Sequence, residues 1–116
     1  MTIALGKAWK NYRRPQNKFN AERVVTDDGA FDSKKEHRRW CELKLEQLAG
    51  EIRNLRHHTK FKFEHNGVLI GTYESDFDYF RGNEYVVEDA KGYETDVFRL
   101  KAKMMRAFYG IEVRIT

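Results

Sequence analysis

Tyr85-Val86-Val87-Glu88-Asp89-Ala90-Lys91-Gly92 is the stretch on which the reading of this chain turns. It begins as an uninterrupted apolar run, the pattern of a central strand buried on both faces. It then sets an acid, a small residue and a lysine before a glycine. An aspartate placed after such a run is hard to read as a solvent-facing charge. On a strand, Asp89 and Lys91 share a face with Val87. Upstream, residues 68–80 read as one long strand, bent or bulged near Gly71, on which Glu74, Asp76 and Asp78 alternate and so point to one face. Arg81-Gly82-Asn83 is a turn, and a hairpin across it can bring Asp76 to Asp89. Gathered carboxylates repel one another and lose hydration, so a hard divalent cation is a natural reason to collect them. A plainer reading of Glu74, Asp76 and Asp78 also stands: acids turned to solvent in alternation with Tyr73, Phe77 and Tyr79.

Outward from this pair of strands, the remaining elements fall into order. A first helix opens at Asp32-Ser33, where Ser33 and Glu36 have capping-box spacing, and runs to about Ala49, with Gly50 as its stop. Trp40, Leu43 and Gln47 form one stripe with Glu36, while Cys41, Leu45 and Leu48 form a second. A helix apolar on two sides reads as sandwiched, between the sheet and either another chain or the N-terminal arm. Residues 61–65 alternate with period two before Asn66-Gly67, a strong hairpin signal, and residues 84–91 make the third strand. Thr95 or Asp96 caps a second helix that reaches Phe108 and stops at Gly110; residues 111–116 close the chain as a strand. The body is therefore an αβββαβ unit of the α/β (α+β) class, a mixed central sheet flanked by helices. His57-His58 reads as a pair of surface residues in a loop. Lys101 projects from the apolar arc of the second helix, and there it either snorkels outward or meets a buried anion.

The chain has 116 residues, enough for one domain, and 41% hydrophobic with 14% aromatic residues is enough for a packed core. No apolar run approaches the roughly 20 residues of a membrane span, and no signal-peptide stretch opens the chain. Cys41 alone cannot form an intramolecular disulfide, and one cysteine with four scattered histidines makes a structural zinc site improbable. These features predict a soluble cytoplasmic protein. Its net charge of +4 is unevenly placed, because residues 1–26 hold six basic residues against one acid, Glu22. Residues 1–30 thus read as a basic arm on a body spanning 31–116. Lys7, Lys10, Arg13, Arg14 and Lys18 are its candidate phosphate contacts, with Trp9, Tyr12 and Phe19 able to stack on bases. Such an arm is equally a solvated tail.

At this point the residues resemble a known group. Asp76, twelve intervening residues, then Asp89-Ala90-Lys91 is similar to the D…(D/E)-x-K signature of the PD-(D/E)XK nucleases, whose common core is the αβββαβ order read above. Phe31-Asp32-Ser33-Lys34-Lys35-Glu36, Ala49-Gly50-Glu51-Ile52, Ser75-Asp76-Phe77, Val86 to Gly92 and Thr95-Asp96-Val97-Phe98 are closer still to a small phage-encoded family of that superfamily. Ser75 stands where the superfamily's proline is expected. The resemblance implies a restriction-endonuclease-like fold in which Asp76 and Asp89 bind Mg²⁺ or Mn²⁺ together with the carbonyl of Ala90. Lys91 would position the attacking water, and Glu36 would reach the metal directly or through water. Lys34 and Lys101 join the arm residues as candidate nucleic-acid contacts. Small stand-alone members include Holliday junction resolvases, which work as dimers. The expectation is thus a metal-dependent endonuclease selective for branched DNA, probed against a non-catalytic nucleic-acid-binding module on the same fold.

Overall fold

A computed structural model describes residues 22–91 and 93–116. The chain divides between Lys34 and Lys35 into two compact units. Within the described part of the first unit, β1 (Val24–Thr26) and β2 (Gly29–Phe31) pair antiparallel across the turn at Asp27-Asp28. Thr26 Oγ1 accepts the Asp28 N–H at 3.2 Å, and Gly29 has a φ of 124°, open to glycine. The residues read as a basic arm up to position 30 therefore end in a hairpin. The candidate contacts Lys7, Lys10, Arg13, Arg14 and Lys18, and the rings of Trp9, Tyr12 and Phe19, lie outside the described residues.

The second unit is a mixed α+β body. Its elements run α1 (Lys34–Leu48), β3 (Arg53–His57), β4 (Lys60–His65), β5 (Val68–Glu74), β6 (Phe77–Arg81), β7 (Glu84–Asp89), α2 (Asp96–Tyr109) and β8 (Val113–Ile115). A four-stranded sheet has the order β3-β6-β7-β8, and β4 pairs with β5 in a separate two-stranded sheet. β3, β6 and β7 are antiparallel neighbours, whereas β8 runs parallel to β7, which requires the crossover that α2 supplies. With the β4–β5 hairpin set aside, the order is αβββαβ.

Two strand assignments differ from the sequence reading, and one expected irregularity is found. The first strand of the main sheet is Arg53–His57, not residues 61–65. It holds one aliphatic residue, Leu55, among charged and polar ones and carries no apolar alternation. Residues 68–80 are two strands, because the chain leaves one sheet at Ser75-Asp76 and enters the other. Ser75 is buried; its N–H donates to the Thr59 carbonyl at 2.9 Å, and the His58 N–H donates to the Asp76 carbonyl at 3.0 Å. These two bonds tie the passage to the segment between β3 and β4. Finally, the register of β4 with β5 slips between Phe63 and Glu64, opposite Gly71, where the sequence suggested a bend.

Helix ends follow their local signals. Thr95, rather than Asp96, is the N-cap of α2, its hydroxyl accepting the Phe98 N–H at 3.1 Å. Gly110 closes the helix at φ 68°, and its N–H returns to the Arg106 carbonyl at 3.0 Å. Asn66 and Gly67 have φ values of 51° and 77°, both positive as a type I′ hairpin turn demands.

The alternation of β6 and β7 divides the body into two layers. Phe77 faces Glu88 and Tyr79 faces Val86, and α1 covers that side, with Trp40 stacked on Phe77 at 6.0 Å between ring centres. Asp78 faces Val87 on the other side, where Val87, Phe63, Tyr73, Phe98 and Met105 make a continuous buried cluster with the β4–β5 hairpin and α2. On α1, Glu36, Trp40 and Leu43 of the expected stripe are buried, whereas Gln47 is exposed. Cys41, Leu45 and Leu48 are exposed, so the second stripe is not sandwiched within the described residues.

Candidate metal centre

Asp89 ends β7 and is completely buried. Its Oδ2 accepts the hydroxyl of Tyr73, a residue of β5, whereas Oδ1 has no hydrogen-bond partner among the described residues. The Lys91 ammonium stands 3.9 Å from Oδ1, close enough for attraction and too far for a hydrogen bond. A buried carboxylate oxygen without a donor costs stability. Burial pushes the Asp89 carboxyl up to about 8, and the Asp76 carboxylate beside it adds to the rise, while Lys91 and the Tyr73 hydroxyl oppose it. Tyr73 is raised as well, first by burial and then by Asp89, so it remains a hydrogen-bond donor.

Asp76 reaches this place because the chain changes sheets there. Its Oδ2 accepts the Ala90 N–H at 2.8 Å, which fixes it beside the end of β7. The expected grouping of Glu74, Asp76 and Asp78 on one strand face does not occur. Glu74 is exposed on β5, opposite Lys60, while Asp78 is buried on β6 and answered at both oxygens. Thr59 Oγ1 donates to Asp78 Oδ1 at 2.5 Å, and Tyr85 and Arg56 donate to Oδ2 at 2.7 Å and 2.9 Å. Asp78 is a structural acid that ties β3 to β6 and β7.

Glu36 comes to Asp76 from α1. One turn before Trp40, it lies on the buried side of the helix, and its Oε1 is 2.7 Å from His58 Nε2. One ligand atom each from Glu36, His58 and Asp76 all lie within 4.8 Å of one another. His58 is thus no isolated loop residue, as the sequence suggested. It follows β3 with a φ of 55°, a left-handed conformation that histidine adopts more readily than most residues but still at a cost. Its ring is 3.1 Å, nitrogen to nitrogen, from His57, whose own ring meets Trp40 edge-on at 4.7 Å between centres.

The structure accordingly brings Glu36, Asp76, Asp89 and Lys91 to one region, adds His58 and Tyr73, and engages Ala90 through its N–H. The Lys91 ammonium also lies 5.1 Å from the centre of the Phe98 ring, and the Lys91 carbonyl accepts the Lys35 ammonium at 3.2 Å. Of the candidate nucleic-acid contacts that are described, Lys34 is exposed and pairs with Glu22 at 3.1 Å. Lys101 is half-buried, three residues past Phe98 and four before Met105, on the helix face those two bury. A donor set of carboxylates with one imidazole, beside an orphaned buried carboxylate oxygen, fits a divalent cation.

A family model for proteins of unknown function, DUF1064, matches residues 16–116, and the chain belongs to that family. No curated protein and no solved structure matches it. Among the described residues, no helix is long and apolar enough to cross a membrane.

Proposed function

We propose that this DUF1064 protein is a divalent-metal-dependent endonuclease that hydrolyses DNA phosphodiester bonds, with branched DNA such as a four-way junction as its preferred substrate. The observation that carries this reading is the buried, unpartnered Oδ1 of Asp89, set beside Asp76 and within reach of Lys91. A fold seldom keeps a desolvated carboxylate oxygen without a donor unless something else answers it. The αβββαβ order and the D…DxK residues meeting at the end of β7 support the same reading. Asp76, Asp89 and Glu36, with the carbonyl of Ala90, would hold Mg²⁺ or Mn²⁺. Such an ion supplies Lewis-acid stabilisation of charge developing on a phosphate. Lys91 orients the attacking water and offers its positive charge to the phosphate, its ammonium standing 5.1 Å from the centre of the Phe98 ring. The Tyr73 hydroxyl holds the Asp89 carboxylate in one rotamer. Lys7, Lys10, Arg13, Arg14, Lys18, Lys34 and Lys101 would meet the backbone phosphates of the DNA. Symmetric cutting of a junction calls for a homodimer, and the setting in this reading is the cytoplasm of a phage-infected bacterium.

Labelled four-way junction, flap, linear duplex and single strand, each incubated with Mg²⁺, Mn²⁺ or chelator, test the proposal. Metal-dependent cutting that is lost in Asp89→Asn is the expected result, with paired cuts at the junction marking the preferred substrate. Binding of all four forms without cutting by the wild type would replace the enzyme with a nucleic-acid-binding module.

A further inference from the structure

The Glu36–His58–Asp76 group contains a donor that the D…DxK pattern does not supply. A nitrogen donor changes which ion a site prefers. Mg²⁺ favours an all-oxygen octahedral shell and keeps much of its water, whereas first-row transition ions take imidazole readily. We propose that His58 is a ligand of the ion held here, and that it makes the site selective for a first-row transition-metal ion over Mg²⁺. This rests on the reading of the centre as a metal site, and it adds the identity of the ion.

Three observations carry it. One ring nitrogen of His58 and one oxygen each from Glu36 and Asp76 lie within 4.8 Å of one another, a spread that a single ion can span, and His58 Nε2 is 2.7 Å from Glu36 Oε1. The ring is held in place from its other side: His58 Nδ1 is 3.1 Å from His57 Nδ1, and His57 in turn rests on Trp40. An imidazole whose far nitrogen is hydrogen-bonded, so that its near nitrogen is aimed, is the usual arrangement around a metal-ligating histidine. The third observation is independent of the group itself. Asp89, wholly buried and lacking a hydrogen-bond partner at Oδ1 among the described residues, lies beside Asp76 and supplies a further oxygen donor there. The His58 N–H bond to the Asp76 carbonyl, at 3.0 Å, keeps these two candidate ligands in fixed relation whatever their side chains do.

The test uses the full chain without DNA. Calorimetric titration with Mg²⁺, Mn²⁺ and Co²⁺ is made on the wild type and on His58→Gln, with circular dichroism to check that the variant is folded. Mn²⁺ and Co²⁺ are expected to bind the wild type at least ~10-fold more tightly than Mg²⁺, and His58→Gln to lose roughly 10- to 100-fold for those two while Mg²⁺ changes by less than ~3-fold. Equal losses for all three ions, or no loss for any, would overturn the assignment. A second measurement needs no variant: protein labelled with ¹⁵N-histidine should change the nitrogen hyperfine couplings of bound Mn²⁺, and a spectrum without histidine coupling overturns the proposal. Histidine coupling in a protein that cuts no DNA would leave this inference standing and remove the nuclease. Asp89-dependent cutting without histidine coupling would do the reverse.

Discussion

Glu88 and Asp89 are consecutive residues of β7, both buried and both acidic, yet the two faces of the strand treat them differently. On the α1 face Glu88 is answered completely. Arg39 donates to both of its oxygens at 2.9 Å, Tyr79 adds its hydroxyl, and hydrogen bonding to Glu88 raises the Arg39 guanidinium. On the opposite face Asp89 receives one hydroxyl and holds Lys91 only at 3.9 Å. The same contrast recurs one strand over and across one residue: Asp78 has donors at both oxygens, and Asp76 accepts the Ala90 N–H beside Asp89. Burial alone therefore does not mark a functional acid. The distinction lies in whether the surrounding donors balance the charge.

The sharpest way to break this comparison is to substitute each acid in turn. Asp89→Asn is expected to reduce metal-dependent cleavage by about 10³-fold or more, on the scale of a group that stabilises developing charge directly. Chemical denaturation should show its fold unharmed, and a cleaving Asp89→Asn protein would erase the contrast. Glu88→Ala should do the opposite, lowering stability by roughly 1.5–3 kcal/mol because it takes the buried acceptor from Arg39 and Tyr79, while Glu42 and Glu46 still hold the guanidinium, as read from the shift in urea midpoint.

A third expectation separates the two acids by pH. The folded-state value of Asp89, about 8, lies above its ordinary 3.8. The metal-free folded protein therefore holds a proton that the unfolded chain has released across that window. The associated stability is complete below the ordinary value and is lost as pH rises through about 8. In chelator, melting temperatures measured from pH 5 to pH 9 should fall for the wild type more steeply than for Asp89→Asn. Parallel curves would mean that Asp89 is better balanced than its contacts indicate. The smallest effect belongs to the rim. Arg114 and Glu84 pair at 2.6 Å on exposed side chains, and Arg114→Ala should cost no more than about 0.5 kcal/mol in the same urea assay.

Much of this site is legible in the chain itself. Asp89 and Lys91 are marked by the apolar run before them, and Glu36 by its place on the Trp40–Leu43 stripe. The two helices, with Gly50 and Gly110 as their stops, follow from local signals. His58 and Tyr73 are not marked, for different reasons. The strand before His58 is mostly polar because its charges are met far away, Arg56 by Asp78 across 22 positions, so no periodicity reveals it. Tyr73 sits in an ordinary alternating strand, and only the pairing of β5 with β4 and the packing of that hairpin beside β7 turn its hydroxyl to Asp89. The break at Ser75-Asp76 has no local signal, since it depends on the Thr59 carbonyl. That one break also undoes the single-face reading of Glu74, Asp76 and Asp78.

The passage of the chain from one sheet to the other at Ser75-Asp76 has a consequence for assembly. Asp76 belongs to neither sheet, and its place is defined only when β5 has found β4 and β6 has found both β3 and β7. Glu36 and Asp89 are separated by 53 positions of sequence and come from a helix and from the strand preceding the crossover. A chain emerging from the ribosome can thus complete α1 and the β4–β5 hairpin while its acids remain far apart. They converge only after β7 is in place, so the centre is completed only once residues 36–91 have all been made.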